Sequence, residues 1–226
     1  IISRLNTVIR DVRAAYEDYD LKTAGRILEN FVCDDVSNWY VRLNRARYWA
    51  GEMTADKNAA YSTLYAVLKN VAILAAPIAP FYMDQLYKDL GGELDSVHFT
   101  LMPEADEKVI DPALEERMAL AQQATSMMLA LRKKVNIPVR QPLQKVMIPV
   151  ISEKVRAQLE AVNTIVLAEV HGKEMEFIAD TTGIMSLRIK PNFKVLGKTY
   201  GARMKEIAAA FGTLEQPVIA AIQKAE

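Results

Sequence analysis

The chain has 226 residues, 51% hydrophobic and 25% charged, and its 28 basic and 28 acidic side chains cancel to zero net charge. This is the composition of folded globular protein and excludes a disordered or fibrous chain. The apolar run at 71–80 is broken by Pro77 and Pro80 and is much shorter than the roughly 20 residues of a membrane-spanning helix, so no membrane partner is expected.

The apolar residues Ile2, Leu5, Ile9, Val12 and Tyr16 recur at helical spacing, and Asp20 stands where it would cap a second helix. That second helix is expected from about Leu21 to Ala50, stopping at Gly51. Cys33, the one cysteine, lies within it. A lone cysteine forms no internal disulfide and no cysteine-rich zinc site, and its apolar surroundings predict burial in a protein of a reducing compartment. A third helix starts near Ala55, with Tyr61, Leu64, Tyr65, Leu68, Val71, Ala72 and Ala75 facing inward, until Pro77 and Pro80 kink or break it. Residues 81–90 then read as a short separate helix.

An acidic connector follows at 91–111. Between Gly92 and Glu116 there are eight acids against Lys108 as the only strong base, so the segment is expected in solvent, away from any phosphate. Pro112 suits the first turn of a fourth long helix, whose apolar positions Leu114, Met118, Ala121, Met128, Leu131 and Val135 would close a bundle before Pro138. Met127 and Met128 read as adaptable core filling.

Beyond Ile137 the pattern changes. Short β-branched or alternating runs at 146–150, 175–178 and 186–189 lie among helical patterns at 153–170 and 202–211, with a last helix at 214–224. The expected fold is therefore mainly α: an antiparallel helical bundle over 1–136, followed by a small mixed α/β module over 137–226. The chain opens on Ile1 inside a helical pattern with no leader segment, which reads as a piece of something longer.

No catalytic constellation is visible. His98 and His171 lack partners at metal-ligand or triad spacing, no glycine-rich phosphate loop is present, and Gly91-Gly92 is explained by a turn. Adjacent Asp34 and Asp35 point in different directions on a helix and cannot share a substrate atom.

Charge is segregated instead. Residues 36–51 contain three arginines and no acid; residues 117–152 contain Arg117, Arg132, Lys133, Lys134, Arg140 and Lys145 and no acid; residues 181–205 contain Arg188, Lys190, Lys194, Lys198, Arg203 and Lys205 and no acid. In the first window, helical spacing puts Asn38, Arg42, Arg45 and Trp49 on one side and Val32, Val36, Trp39, Leu43 and Ala46 on another. Guanidinium forks suit phosphate, and an exposed aromatic suits an unpaired base. Two readings stand: a nucleic-acid face, or a core of Trp39 and Tyr40 with solvated arginines. The nucleic-acid reading requires the three windows to fold into one cationic surface.

Several segments resemble a known family. FVCDDVSNWYVRLNRARYWAG at 31–51, AYSTLYAVLKNVAILAAPIAPFYMDQLYKDL at 60–90 and SVHF at 96–99 are similar to the C-terminal part of class I aminoacyl-tRNA synthetases for branched amino acids. VRQPL at 139–143 and KPNFKVLGKTYG at 190–201 point within that group to isoleucyl-tRNA synthetase; the first three segments alone leave the valine and leucine enzymes as alternatives. The family's HIGH and KMSKS signatures are missing here, so the resemblance implies a segment without catalysis of its own. ATP and magnesium would belong to catalytic and editing domains elsewhere in the same polypeptide, and this segment would hold no cofactor and no metal. The resemblance further implies a cytoplasmic monomer whose bundle holds the anticodon stem-loop of isoleucine tRNA. On this reading the RNA contacts are Arg42, Arg45 and Arg47, with Trp49 stacking and Asn38 reading a base edge. Arg132, Lys133, Lys134 and Arg140 come next, and Lys190, Lys194, Lys198 and Arg203 extend the track. Two alternatives remain, an interdomain or protein-docking scaffold and, for Asn38, a purely structural hydrogen bond.

Overall fold

The computed structural model describes residues 1–149, 152–178, 191–193, 196 and 200–212. Helix α1 (Ile2–Glu17) buries Leu5, Val8, Ile9, Val12 and Ala15 along one stripe. The chain turns at Tyr19, whose φ of 56° is left-handed. Asp20 then caps α2 (Leu21–Asn30), its carboxylate accepting the Thr23 N–H at 3.0 Å.

The expected continuous helix to Ala50 is instead built in three parts. After α2 the backbone widens into a π-helix over Phe31–Val41, turns at Asn44, and ends in the five-residue α3 (Arg45–Trp49). The wider turn changes which residues face inward: Phe31 and Val36, five apart, are buried. Cys33, two residues beyond Phe31 and so on the opposite face, is exposed, contrary to its expected burial.

Helix α4 (Ala55–Ala75), capped by the Thr54 hydroxyl on the Lys57 N–H, returns antiparallel to the α2–α3 rod. The Tyr48 and Tyr61 rings meet with centroids 5.0 Å apart at one end. At the other, the Tyr16 hydroxyl donates to the Leu74 carbonyl at 2.7 Å, and Gly25 faces the tip of Ile78. Leu5, Val8, Ile9, Val12, Leu28, Phe31, Val67, Val71 and Leu74 form the core between these helices. Helical structure stops before Pro77, and Pro80 opens α5 (Pro80–Asp89) at a position where its missing N–H costs nothing.

The acidic connector is less solvated than its composition suggests. Asp84 accepts from the Ser96 hydroxyl and the Val97 N–H, Arg13 donates to the carbonyls of Met102 and Pro103, and Asn6 accepts from the Asp106 N–H. Met102 and Ala105 pack on the core. The strap crosses Gly92, where a Cβ would lie 2.1 Å from the buried Tyr87 ring.

Helix α6 (Pro112–Lys134) is capped by Asp111 and buries Ala121, Thr125 and Arg132. Leu131 and Val135, expected inside, are each 61% exposed, because Arg132 takes the inward position next to Leu131. Strands β1 (Leu143–Pro149) and β2 (Gly172–Ile178) pair in parallel and are joined through α7 (Glu153–Glu160) and α8 (Asn163–Val170), the helical crossover that parallel pairing requires. A final α9 (Met204–Gly212) follows a short 3₁₀ turn at Gly201–Arg203. The expected strand at 186–189 and helix at 214–224 lie outside the described residues.

The chain divides into two compact units, Ile1–Val146 with Arg156–Met175, and Met147–Val155 with Glu176–Glu226. The architecture is mainly α with a small two-stranded parallel sheet.

Candidate nucleic-acid interface

Within the first unit, side-chain contacts fix how α6 runs along the α2–α3 rod. Gln122 donates to Asp35 at 3.1 Å, and Trp39 shares a cluster with Met118, Ala121, Met128, Val162 and Val166. Trp39 is therefore half-buried against that cluster.

The cationic residues expected in the first window meet three different fates. Arg42 forms an ion pair at 2.7 Å with Glu169 of α8. Arg47 is gripped by Asp56, with Nε and Nη2 at 2.7 and 2.5 Å from the two carboxylate oxygens, and Nη1 also donates to Asn44. Hydrogen bonding to the Asp56 carboxylate raises the Arg47 guanidinium above its ordinary pKa. Both charges are neutralised where they stand, so neither is an open phosphate site. Arg45 is exposed and has no carboxylate among the described residues; its guanidinium lies over Trp49, 5.6 Å from the ring centroid. Trp49 is 77% exposed, and Asn38 is exposed on the π-helix.

The second window is corrected at one position. Arg132 is 3% exposed and turned inward, its Nη2 donating to the carbonyls of Pro138, Val139 and Gln141. It is an internal clamp and cannot meet RNA directly. Lys133, Lys134 and Arg140 flank it, exposed and without an ion pair among the described residues. Of the third window, Lys190, Lys194 and Lys198 lie outside the described residues, and exposed Arg203, in the second unit, pairs with Glu206 at 3.1 Å.

Arg45 beside Trp49, and Lys133, Lys134 and Arg140 at the end of α6, thus stay exposed with no carboxylate partner among the described residues. The turn before α2 and the start of α5 carry a second exposed group that the sequence reading passed over. Tyr19 is 92% exposed in its left-handed turn and Phe81 91% exposed at the start of α5, with Tyr82, Leu21 and Ile78 also open. A signal for Phe81 and Tyr82 was available: the inward stripe of α5 is Met83, Leu86 and Tyr87, and these two aromatics fall off it. Exposed aromatics of this size offer stacking surface to unpaired bases.

A groove of about 650 Å³ lies between the start of α1, the π-helix and α6. Asp34, Asp35, Glu115 and Glu116 outnumber Arg4 on its wall, so it repels phosphate. Among the described residues no group of three or more His, Cys, Asp or Glu stands at metal-binding spacing.

A family model for the anticodon-binding domain of tRNA ligases matches residues 1–148. The isoleucine–tRNA ligase of Porphyromonas gingivalis is 50% identical over 225 residues, covering 100% of this chain and 20% of that protein. That of Cytophaga hutchinsonii is 48% identical over 99% of this chain and 21% of its own length, and that of Clostridium acetobutylicum 39% identical over 97% and 21%. The chain spans about a fifth of the length of these curated relatives. It belongs to the anticodon-binding domain family of tRNA ligases.

Proposed function

We propose that this chain is the segment of an isoleucyl-tRNA synthetase that holds the anticodon stem-loop of isoleucine tRNA, with no aminoacylation chemistry of its own. The polypeptide containing it joins isoleucine to tRNA with ATP and magnesium bound by its other domains, as a cytoplasmic monomer. The observation that carries the reading is the uncommitted cationic end of the first unit: Lys133, Lys134 and Arg140 stand exposed, with no carboxylate partner among the described residues, on a chain of the anticodon-binding family. These cations, with Arg45, take backbone phosphates, which position the RNA without reading sequence. Unpaired loop bases stack on the aromatic end at Tyr19 and Phe81, and Trp49 offers a further platform beside Arg45. Lys190, Lys194 and Lys198 are further phosphate contacts on this reading, with Arg203, already paired with Glu206, a weaker one, and Asn38 supplies an amide for a base edge. Filter binding of an isoleucine tRNA transcript to the full-length polypeptide tests this: affinity should fall steeply with added salt. Salt-insensitive binding, or none, refutes it.

A second reading is favoured for one face only. Because Arg42 and Arg47 are already paired with Glu169 and Asp56, the face around them fits docking against another domain of the same polypeptide better than RNA. Alanine at both positions should then disturb assembly and leave tRNA affinity nearly unchanged.

A further inference from the structure

Arg132 is an unusual residue in this fold. It is a nearly fully buried cation with no carboxylate partner among the described residues, and burying an unpaired charge is costly. Two features offset that cost. The guanidinium sits in the last turn of α6, where the helix dipole presents its negative end, and it is solvated by backbone carbonyls.

The same residue is tied twice. Its own carbonyl accepts the Ile137 N–H at 2.9 Å, while the Asn136 N–H, from a residue at φ 56°, reaches the Lys133 carbonyl at 3.2 Å. This is the Schellman closure of a helix end. Its side chain meanwhile holds the carbonyls of Pro138, Val139 and Gln141. The Gln141 N–H closes back on the Pro138 carbonyl at 3.0 Å, so 138–141 is a tight turn with Val139 and Arg140 at its tip. The next strand is anchored as well, the Leu143 N–H donating to the His171 carbonyl at 2.9 Å. Every hydrogen bond around the tip fixes backbone, and three cations, Lys133, Lys134 and Arg140, are exposed beside it.

We propose that Arg132 is a positioning residue for phosphate binding: the Nη2 of its buried guanidinium clamps the 138–141 turn so that Arg140 is presented, preorganised, beside Lys133 and Lys134. The proposal rests on the tRNA reading above. The three contacts converge on the terminal Nη2, and a lysine at 132 keeps the charge but is one bond shorter, so its ammonium stops short of that point. The turn then loosens, and Arg140 loses its phosphate contact because ordering it costs more than the contact returns.

The test is a double-mutant cycle on tRNA affinity in the full-length polypeptide at about 0.1 M salt, with Arg140→Gln and Arg132→Lys. Loss of one phosphate contact removes about 6-fold in affinity at that salt through counterion release. Each single variant should show a loss of that order, and the double variant no more than either alone. The dependence of affinity on salt should flatten equally in all three, although Arg132→Lys deletes no charge. Independent action would instead multiply to about 40-fold. That outcome, or an unchanged salt dependence in Arg132→Lys, overturns the proposal. Should Arg132→Lys unfold, Val139→Gly loosens the turn from its half-open tip. Its loss of affinity should vanish in the Arg140→Gln background, and persistence there overturns the clamp equally. A wild-type protein that binds tRNA without salt dependence would refute the tRNA reading itself, a result distinct from uncoupled variants of a salt-sensitive protein.

Discussion

Replacing Lys133, Lys134 and Arg140 together by glutamine separates the cationic end of the first unit from the arginines of the α2–α3 rod. The three are exposed and carry no ion pair among the described residues, so each is free to displace a counterion from one phosphate. At roughly 0.8 counterions per contact, the triple variant should lower the slope of log affinity against log salt by about 2.4. Between about 50 and about 200 mM salt, wild-type binding should therefore weaken roughly 30-fold more than that of the variant. Glutamine retains side-chain length and polarity at exposed positions, so thermal stability should stay within about 0.5 kcal/mol of wild type. The matched control is Arg42→Gln with Arg47→Gln. Those charges already face Glu169 and Asp56 at 2.7 and 2.5 Å, and removing them should scarcely alter the slope. The assay is filter binding of an isoleucine tRNA transcript over a salt series, using the full-length polypeptide. A larger slope change in the control pair than in the triple variant would refute the reasoning, since it would mean that phosphate outcompetes both carboxylates.

The remaining predictions concern the aromatic end, the connector and pH. Tyr19→Ala and Phe81→Ala should each weaken tRNA binding by about 1–3 kcal/mol with the salt dependence unchanged, as measured in the same titration, and an unaltered affinity would remove both rings from the interface. Gly92→Ala should destabilise the protein by about 1–3 kcal/mol in thermal unfolding, because its Cβ would meet the ring of buried Tyr87 at 2.1 Å; a neutral result would show that the connector can move away. Asp84 is held well below the usual carboxylate range, first by the Lys88 ammonium, then by the Ser96 hydroxyl and the Val97 N–H. A depressed folded-state value stabilises above the unfolded pKa of about 4 and is lost as pH falls below it, so the deficit of Asp84→Asn should be full at neutral pH and shrink in acid. A deficit that is constant from neutral to strongly acidic pH would exclude the charge as its origin.

The helical outline was legible because its signals are local. Asp20 and Asp111 announce two helix starts through their own side chains, Pro77 follows the end of α4, and Pro80 begins α5. What was not legible depends on register or on distant partners. A five-residue repeat at Phe31 and Val36 is a weak signal against an α-helical pattern of similar length, and the exposure of Cys33 follows from its place opposite Phe31, which apolar neighbours in sequence do not reveal. Arg132 occupies an inward position that apolar periodicity assigns to its neighbours, so Leu131 and Val135 were placed inside and are outside.

The charge pattern shows the same division most sharply. A window of sequence free of acids guarantees only that no carboxylate lies nearby along the chain. Glu169 reaches Arg42 from more than 100 residues away, and Asp56 reaches Arg47 from just beyond the window's edge. Such pairing is invisible to composition, yet it decides whether a guanidinium is an electrostatic site or a fastening between helices, since a paired charge offers little field beyond its partner. Lys133, Lys134 and Arg140 differ for a structural reason. They emerge at a helix end whose carbonyls are consumed by the Schellman closure and by Arg132, leaving backbone acceptors occupied and the three cations directed to solvent. Local charge density therefore becomes a binding surface only where the fold has used a neighbouring cation for its own stability, and in this chain that neighbour is Arg132.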